Sequence, residues 1–413
     1  MSRKSFRNCF QINRLGTLAG LLAAGLSFAA LAAAQSVPFP TYTPGQNLSG
    51  MQGPDYPSTL PYPWVVSDGT IITPAGTQVY LGITTRAKAV ALNPNTKTHT
   101  AAVLQMGAPQ PVTIFNTQSG AVLQNFKYGT SKTGSATGIA YTSDGLHLLF
   151  SQDSGYVAYV NVDPGTGMIT SNVARISVPL DATTVNVPGF GPEPVLNSAN
   201  CTQTVTMPGT GVTISSPVGT TGSYAIPCGI PETGSYLLGL AVSPDNSTAY
   251  VVADGNDELA KINLNTQTLV SQLRVGNVPH SVVVSADGKT AYVSNEGGRI
   301  ATPNDFQLYS DGTNVVAEYP TGTMARGTIS VVNLSTFTVT DSIETGHHPT
   351  GMAFWGKYLL VANTYDDSIS VIDPTVNQVV RTIDLGLPIG VPGDPRPAYG
   401  AGPNSIAVDG DTA

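Results

Sequence analysis

The sequence predicts an all-β protein, a β-propeller of four-stranded antiparallel blades, and three observations predict it. A unit of about forty residues recurs along the chain, each unit has the same hairpin grammar, and helical periodicity over twelve or more residues is missing. The clearest pair is GLAVSPDNSTAYVV at 239–252 and SVVVSADGKTAYVS at 281–294, which align without gaps at a spacing of 42. A third copy, GMAF at 351–354 with YLLVAN at 358–363, lies 70 residues further on, or 42 once a 28-residue insertion between Asn295 and Thr328 is removed. GIAYTSD at 138–144 is a fourth copy, AVALNPN at 89–95 a weaker fifth, and SIAVD at 405–409 opens a sixth.

Within each unit a short apolar strand meets an Asp-Gly or Asp-Asn turn, and a second strand returns from it. A loop, a third strand such as GTISVVNL at 327–334, a polar turn and a fourth strand such as TVTDSI at 338–343 complete the unit. Asn and Gly supply the positive φ of tight hairpins, and alternating side chains suit strands with one buried face. One such sheet cannot bury both faces, so stability requires stacked neighbours. Five blades and the start of a sixth are expected here, in a ring of seven when complete.

The ends of the repeat region follow from composition. Arg3, Lys4, Arg7 and Arg14 lead into an uncharged run at 15–34 that closes on three alanines, Ala32 to Ala34. This is the pattern of a signal peptide over 1–34 with cleavage before Gln35; the alternative is an uncleaved anchor helix. Residues 35–63 carry seven prolines and no strand pattern, an extended linker, and the propeller is expected over 64–413. The run at 70–82 reads as a strand pair, expected to close the ring by completing a last blade. Three stretches exceed the repeat, at 180–236, 296–327 and 387–402. Long loops on a rigid ring carry binding specificity or are simple decoration.

Charge excludes some partners. The whole chain holds 18 basic and 26 acidic side chains; without the four basic residues of the leader, 14 face 26, a formal −12. Nucleic acid and anionic membranes need basic patches, so neither is expected, and no segment after the leader is long and apolar enough to span a bilayer. Cys9 leaves with the leader, which leaves Cys201 and Cys228 in an oxidising periplasmic or secreted setting. One disulfide is expected, two free thiols being the alternative.

The strands YVSN at 292–295 and LVAN at 360–363 resemble the YVTN signature, and the joints VGNVPHS at 275–281 and TGHHPTG at 345–351 resemble that family's inter-blade joint. The resemblance to YVTN-type β-propellers covers roughly 64–413 and implies the fold far more than an activity. Blade three departs from it, with YVVA at 250–253. Some similar seven-bladed propellers hydrolyse lactones. The Thr-Pro-Ala-Gly lead-in at 73–76 is also similar to that of fusions in which a metal-dependent phosphoesterase follows the propeller. The residues themselves contain no nucleophile elbow, zinc-protease helix or phosphate loop, so whether the chain is an enzyme stays open.

Candidate ligand-binding residues lie at the expected channel mouth, one position past each joint proline: Lys88, Thr137, Leu238, His280, Thr350 and Asn404. Glu296, Arg299 and Asp366 follow the Asn-ended strands on one face. Asn295 and Asn363 are expected to bond backbone between strands. His347 and His348 adjoin this set, but adjacent residues of an extended joint point in opposite directions, so neither a metal site nor a cofactor is expected. The expected function is an exported binding or scaffold module, with a protein, a polymer, a small molecule or a C-terminal companion domain as partner. A lactonase-like hydrolase is the alternative.

Overall fold

In a computed structural model, the described residues are 64–65, 71–72, 79, 81 and then 86–413, omitting 107–110, 128–134, 171–172, 180–183, 188–190, 195–201, 207–212, 218–234, 303, 311–312, 320–321, 386–401 and 411. The chain divides into two units, Met1–Gly76 and Thr77–Ala413. In the first, Trp64–Val65 pairs antiparallel with Ile71–Ile72, so the start of the 70–82 run bonds locally. The leader, the linker and both cysteines lie outside the described residues, and the disulfide expectation with them.

Among the described residues the second unit is all-β but for one short turn of helix, with five four-stranded antiparallel sheets. Blade one comprises Arg86–Leu92, Thr100–Met106, Pro111–Asn116 and Val122–Lys127; blade two comprises Ser135–Tyr141, His147–Gln152, Tyr156–Asn161 and Ala174–Ser177. Blade three comprises Leu237–Val242, Thr248–Ala253, Glu258–Asn263 and Thr268–Arg274. Blade four comprises Asn277–Val284, Thr290–Gly298, Thr328–Asn333 and Thr338–Glu344; blade five comprises Pro349–Trp355, Tyr358–Asn363, Ser368–Asp373 and Gln378–Asp384. The one described helical turn, Asp254–Asn256, has three residues, and no described helix is long and apolar enough to cross a membrane. Among the described residues the ring is not closed.

Blades two, three and four bury each face against a different neighbour and blades one and five one face each, which makes four apolar cores in series. Leu104 and Ile114 of blade one meet Phe150 and Val160 of blade two, and Leu149 and Val157 of blade two meet Val251 and Ile262 of blade three. Val252 and Leu259 meet Val293 and Val332, and Tyr292 and Ile329 meet Leu359 and Ile372. Second strands are therefore buried almost throughout, as in Tyr358–Asn363, whereas outer strands such as Gln378–Asp384 face solvent. Burial on both faces accounts for the lack of polar alternation in second strands such as AYVVA at 249–253 and YLLVA at 358–362, where one buried face was expected.

Side-chain hydroxyls and close backbone approaches set the blade spacing. The Ser151 hydroxyl donates to the Leu238 carbonyl and the Ser294 hydroxyl to the Thr350 carbonyl, each at 2.7 Å. Gly351 N–H donates to the Asn404 carbonyl at 3.0 Å, and Thr364 donates to the Pro403 carbonyl. The segment around Asn404 thus takes the place beside blade five that each innermost strand takes beside the blade before it.

The expected roles of Asn295 and Asn363 hold, with hydroxyls added. Asn295 accepts from Gly276 N–H and donates to Thr328 and Ser330. Asn363 accepts from Gly346 N–H and donates to the Ser368 and Ser370 hydroxyls. Both are fully buried. Asn363→Ala is expected to destabilise the protein by about 2 kcal/mol, because it strands the Gly346 N–H and two hydroxyls away from water. Urea unfolding followed by fluorescence measures this, and a midpoint equal to wild type would remove the role.

Among the described residues, the 180–236 insertion contains two hairpins, Thr184–Val187 with Gly191–Pro194 and Thr202–Thr206 with Thr213–Pro217. The 296–327 insertion contains one, Gln307–Ser310 with Thr313–Val316. The second strand of blade four runs on to Gly298, beyond the repeat length, and delivers Glu296 to the root of that insertion.

Candidate functional site

The repeat places one geometry at successive joints. The residue two positions before the channel position adopts a left-handed conformation in Tyr236, Val278 and His348, with φ of 45°, 50° and 56°, and Gly402 has 51°. Such a φ is costly for side chains with a Cβ and persists only where surroundings impose it. Turn carboxylates help to impose it: Asp257 accepts from Val278 N–H and Asp367 from Gly402 N–H, each at 2.7 Å. His347 and His348 diverge, as expected, but through the left-handed turn at His348 and not through an extended joint.

His348 turns to blade four. Its Nε2 lies 3.1 Å from Glu296 Oε2, and its ring stacks on Tyr365 with centroids 4.1 Å apart. His280 Nε2 lies 3.8 Å from the other oxygen, Oε1. Glu296 is 9% exposed, so two joints converge on one buried carboxylate. Burial, then the nearby His348, pulls the His280 imidazole down to about 4. At neutral pH His280 is therefore uncharged, and its approach to Glu296 is a contact of a neutral ring with a carboxylate. At 3.8 Å this contact is too long for a hydrogen bond, and the other ring nitrogen, Nδ1, is buried and has no hydrogen-bond partner.

His347 turns the other way. Its Nδ1 is 2.7 Å from Asp366 Oδ1 and its Nε2 is 3.3 Å from Glu318 Oε1. Burial opposes its charge, but the hydrogen bonds to Asp366 and then Glu318 outweigh it and hold the pKa above the ordinary imidazole value. Asp366 Oδ2 also accepts from His347 N–H at 2.8 Å.

Arg299 stands apart from this cluster. Its guanidinium makes two bonds to Asp305, of 2.6 and 2.8 Å, which hold the Asp305 carboxyl well below the usual range. The pair closes the first turn of the 296–327 insertion. Farther in, Asn277 donates to the Arg299 and Asn314 carbonyls, while Arg274 bonds Asp257 and Asn277. Burial lowers the Arg274 pKa to about 10, which leaves it charged at neutral pH.

The sequence-predicted positions separate into two groups. His280, Glu296 and Asp366 belong to the joints of blades four and five. Thr350 is buried with its hydroxyl 2.9 Å from that of Thr364, and Asn404, beside blade five, is exposed, whereas Lys88 is exposed and Thr137 half-buried in blades away from the cluster. Three partners were not among the sequence candidates: Tyr365, Glu318 and Asp305. Tyr365 was detectable as an aromatic following the Asn-ended strand; Glu318 and Asp305 sit in an insertion without a repeat to register them. No cluster of three or more His, Cys, Asp or Glu among the described residues has the geometry to hold a metal ion.

No family model matches the chain, and no curated protein matches it. Among solved structures, the chain is similar to hydrazine synthase of Kuenenia stuttgartiensis, with a TM-score of 0.44 and 13% identity over 73% of this chain and 66% of that one. The match therefore spans just under two thirds of the hydrazine synthase chain. It is similar to a functionally unknown protein from Desulfotomaculum acetoxidans DSM 771, with a TM-score of 0.44 and 12% identity over 76% and 74% of the two chains. A chain of a nidogen/laminin complex gives 0.39 and 9% over 72% and 80%.

Proposed function

We propose that the chain is an exported β-propeller binding module whose ligand-facing surface lies at the joints of blades four and five, beside the 296–327 insertion. One observation carries this reading: the candidate charged side chains there are already engaged with one another. Glu296 meets two imidazoles, Arg299 meets Asp305, and Asp366 meets His347. Side chains fixed in this way present a rigid surface and lose little freedom when a ligand arrives. The exposed Tyr365 ring, braced by His348, supplies an aromatic contact on that surface. The acidic mature chain argues against nucleic acid as the ligand. The lead-in at 73–76 supports a phosphoesterase companion domain as partner, in a protein of which this propeller is the N-terminal part.

A lactonase-like hydrolase is the second reading, and the neutral His280 beside Glu296 favours it, since an uncharged imidazole is a general base. The burial of Nδ1 counts against it, because that nitrogen is out of reach of a substrate. Assay of the purified full chain with γ-butyrolactone and with a phosphate monoester at pH 7.5 separates the readings. No turnover above background is expected with the lactone. Lactone turnover that His280→Gln abolishes would overturn the binding reading.

A further inference from the structure

We propose that His347 is a protonation-dependent latch that fastens the 296–327 insertion of blade four to blade five, across the strand end that bears Glu296. Among the described residues, the insertion is fixed by a bond within its own start and by bonds that join its hairpin and its exit to the blades. At its start Arg299 bonds Asp305, and at its hairpin Asn277 donates to the Asn314 carbonyl at 2.8 Å. The hairpin also lies directly on blade four, where a Cβ on Gly297 would come within 2.7 Å of the Val315 side chain. At its exit Glu318 crosses to His347, which Asp366 holds from the turn between the second and third strands of blade five.

The first two attachments do not change with pH in the neutral range: an amide bonds a carbonyl, and a guanidinium bonds a carboxylate whose pKa is already depressed. The third attachment does. Asp366 and Glu318 are the charged groups that act on His347, one from each element packed against it. A protonated imidazole has two N–H groups and donates to both. A neutral one has a single N–H, and the shorter contact, 2.7 Å to Asp366, retains it. The Nε2 lone pair then faces a carboxylate oxygen at 3.3 Å, and two acceptors repel. The folded-state pKa is raised, so the tie is complete below the ordinary imidazole value and is lost as pH rises through the raised one. The insertion is thus fastened in mildly acidic conditions and released at its exit in alkaline conditions. This follows whether the joint surface binds its ligand or turns it over.

Hydrogen–deuterium exchange of the full chain at pH 6 and pH 9, corrected for intrinsic exchange rates, tests the latch without any ligand. Protection of the 304–319 amides is expected to fall about two- to fivefold at pH 9, the range an exposed ion pair supports. Glu318→Gln and His347→Gln should show the lower protection at both pH values, while protection of Tyr358–Asn363 stays at the wild-type level and reports an intact blade. A histidine NMR titration gives the second measurement, with the His347 pKa expected to drop in Glu318→Gln. Equal protection of 304–319 at the two pH values in wild type overturns the proposal. So does the same pH-dependent loss in Glu318→Gln, or a His347 pKa unmoved by that change.

Discussion

Gly239→Ala is expected to lower stability by about 3 kcal/mol or to abolish cooperative folding of blades three and four. A Cβ at this position would lie 2.6 Å from Ser281 Cα, 2.9 Å from the His280 carbonyl oxygen and 3.1 Å from Val282 N. All three are backbone atoms of the next innermost strand, so no side chain can rotate away to make room. The two strands must separate instead, and the apolar core that includes Val252, Leu259, Val293 and Val332 opens with them. Glycine in a strand interior commonly marks such an approach of a second backbone. The equivalent residue of blade four is Ser281, so the repeat position itself accepts a Cβ; it is the nearness of blade four that excludes one at Gly239. Urea denaturation with tryptophan and tyrosine fluorescence measures the loss. A midpoint within experimental error of wild type would show that the strands lie farther apart than described.

Stability is expected to fall as the pH drops from about 6.5 to about 4, and His280 is expected to cause a large share of the fall. Its imidazole has an ordinary value of 6.5 and a folded-state value of about 4, lowered first by burial and then by His348. Within that window the unfolded chain binds a proton at this residue and the folded chain does not. The number of protons bound is larger in the unfolded state, so stability rises with pH across the window and is level above it. At about 1.4 kcal/mol per unit the contribution is on the order of 3 kcal/mol. His347 has the opposite sign and acts at higher pH. The lowered aspartates, such as Asp245 and Asp287, lose their contribution only as the pH falls below the ordinary carboxylate value. His280→Gln keeps a polar side chain and does not titrate, so its stability should change much less between pH 6.5 and 4. An identical slope in wild type and His280→Gln, measured by urea unfolding at half-unit steps, would remove His280 from the account.

The sequence by itself determined the blade. The 42-residue spacing of Asp245 and Asp287, the Asn-ended strands at Asn295 and Asn363, and the turn residues between them are local features. Hairpins are built from local features, because their register depends on the turn and on side-chain alternation. The bonds of Asn295 and Asn363 were predictable for the same reason, since they lie within one blade and its joint. The divergence of His347 and His348 is as expected for adjacent residues, but the joint is not extended there: His348 is left-handed.

Only the tertiary structure decided which charged groups meet. Glu296 and His348 are more than fifty residues apart and belong to different blades, and their approach depends on a left-handed residue at the joint and on the spacing of two sheets. Sequence reasoning placed Glu296, Arg299 and Asp366 on one face, free to meet a ligand. The structure gives each a protein partner, and that of Arg299, Asp305, lies in an insertion whose path no repeat constrains. Thr350, expected at the channel mouth, is buried because the Asn404 segment stacks on its strand. Distances between elements arise from packing, and packing is a property of the summed side-chain volumes of two sheets rather than of either sequence segment.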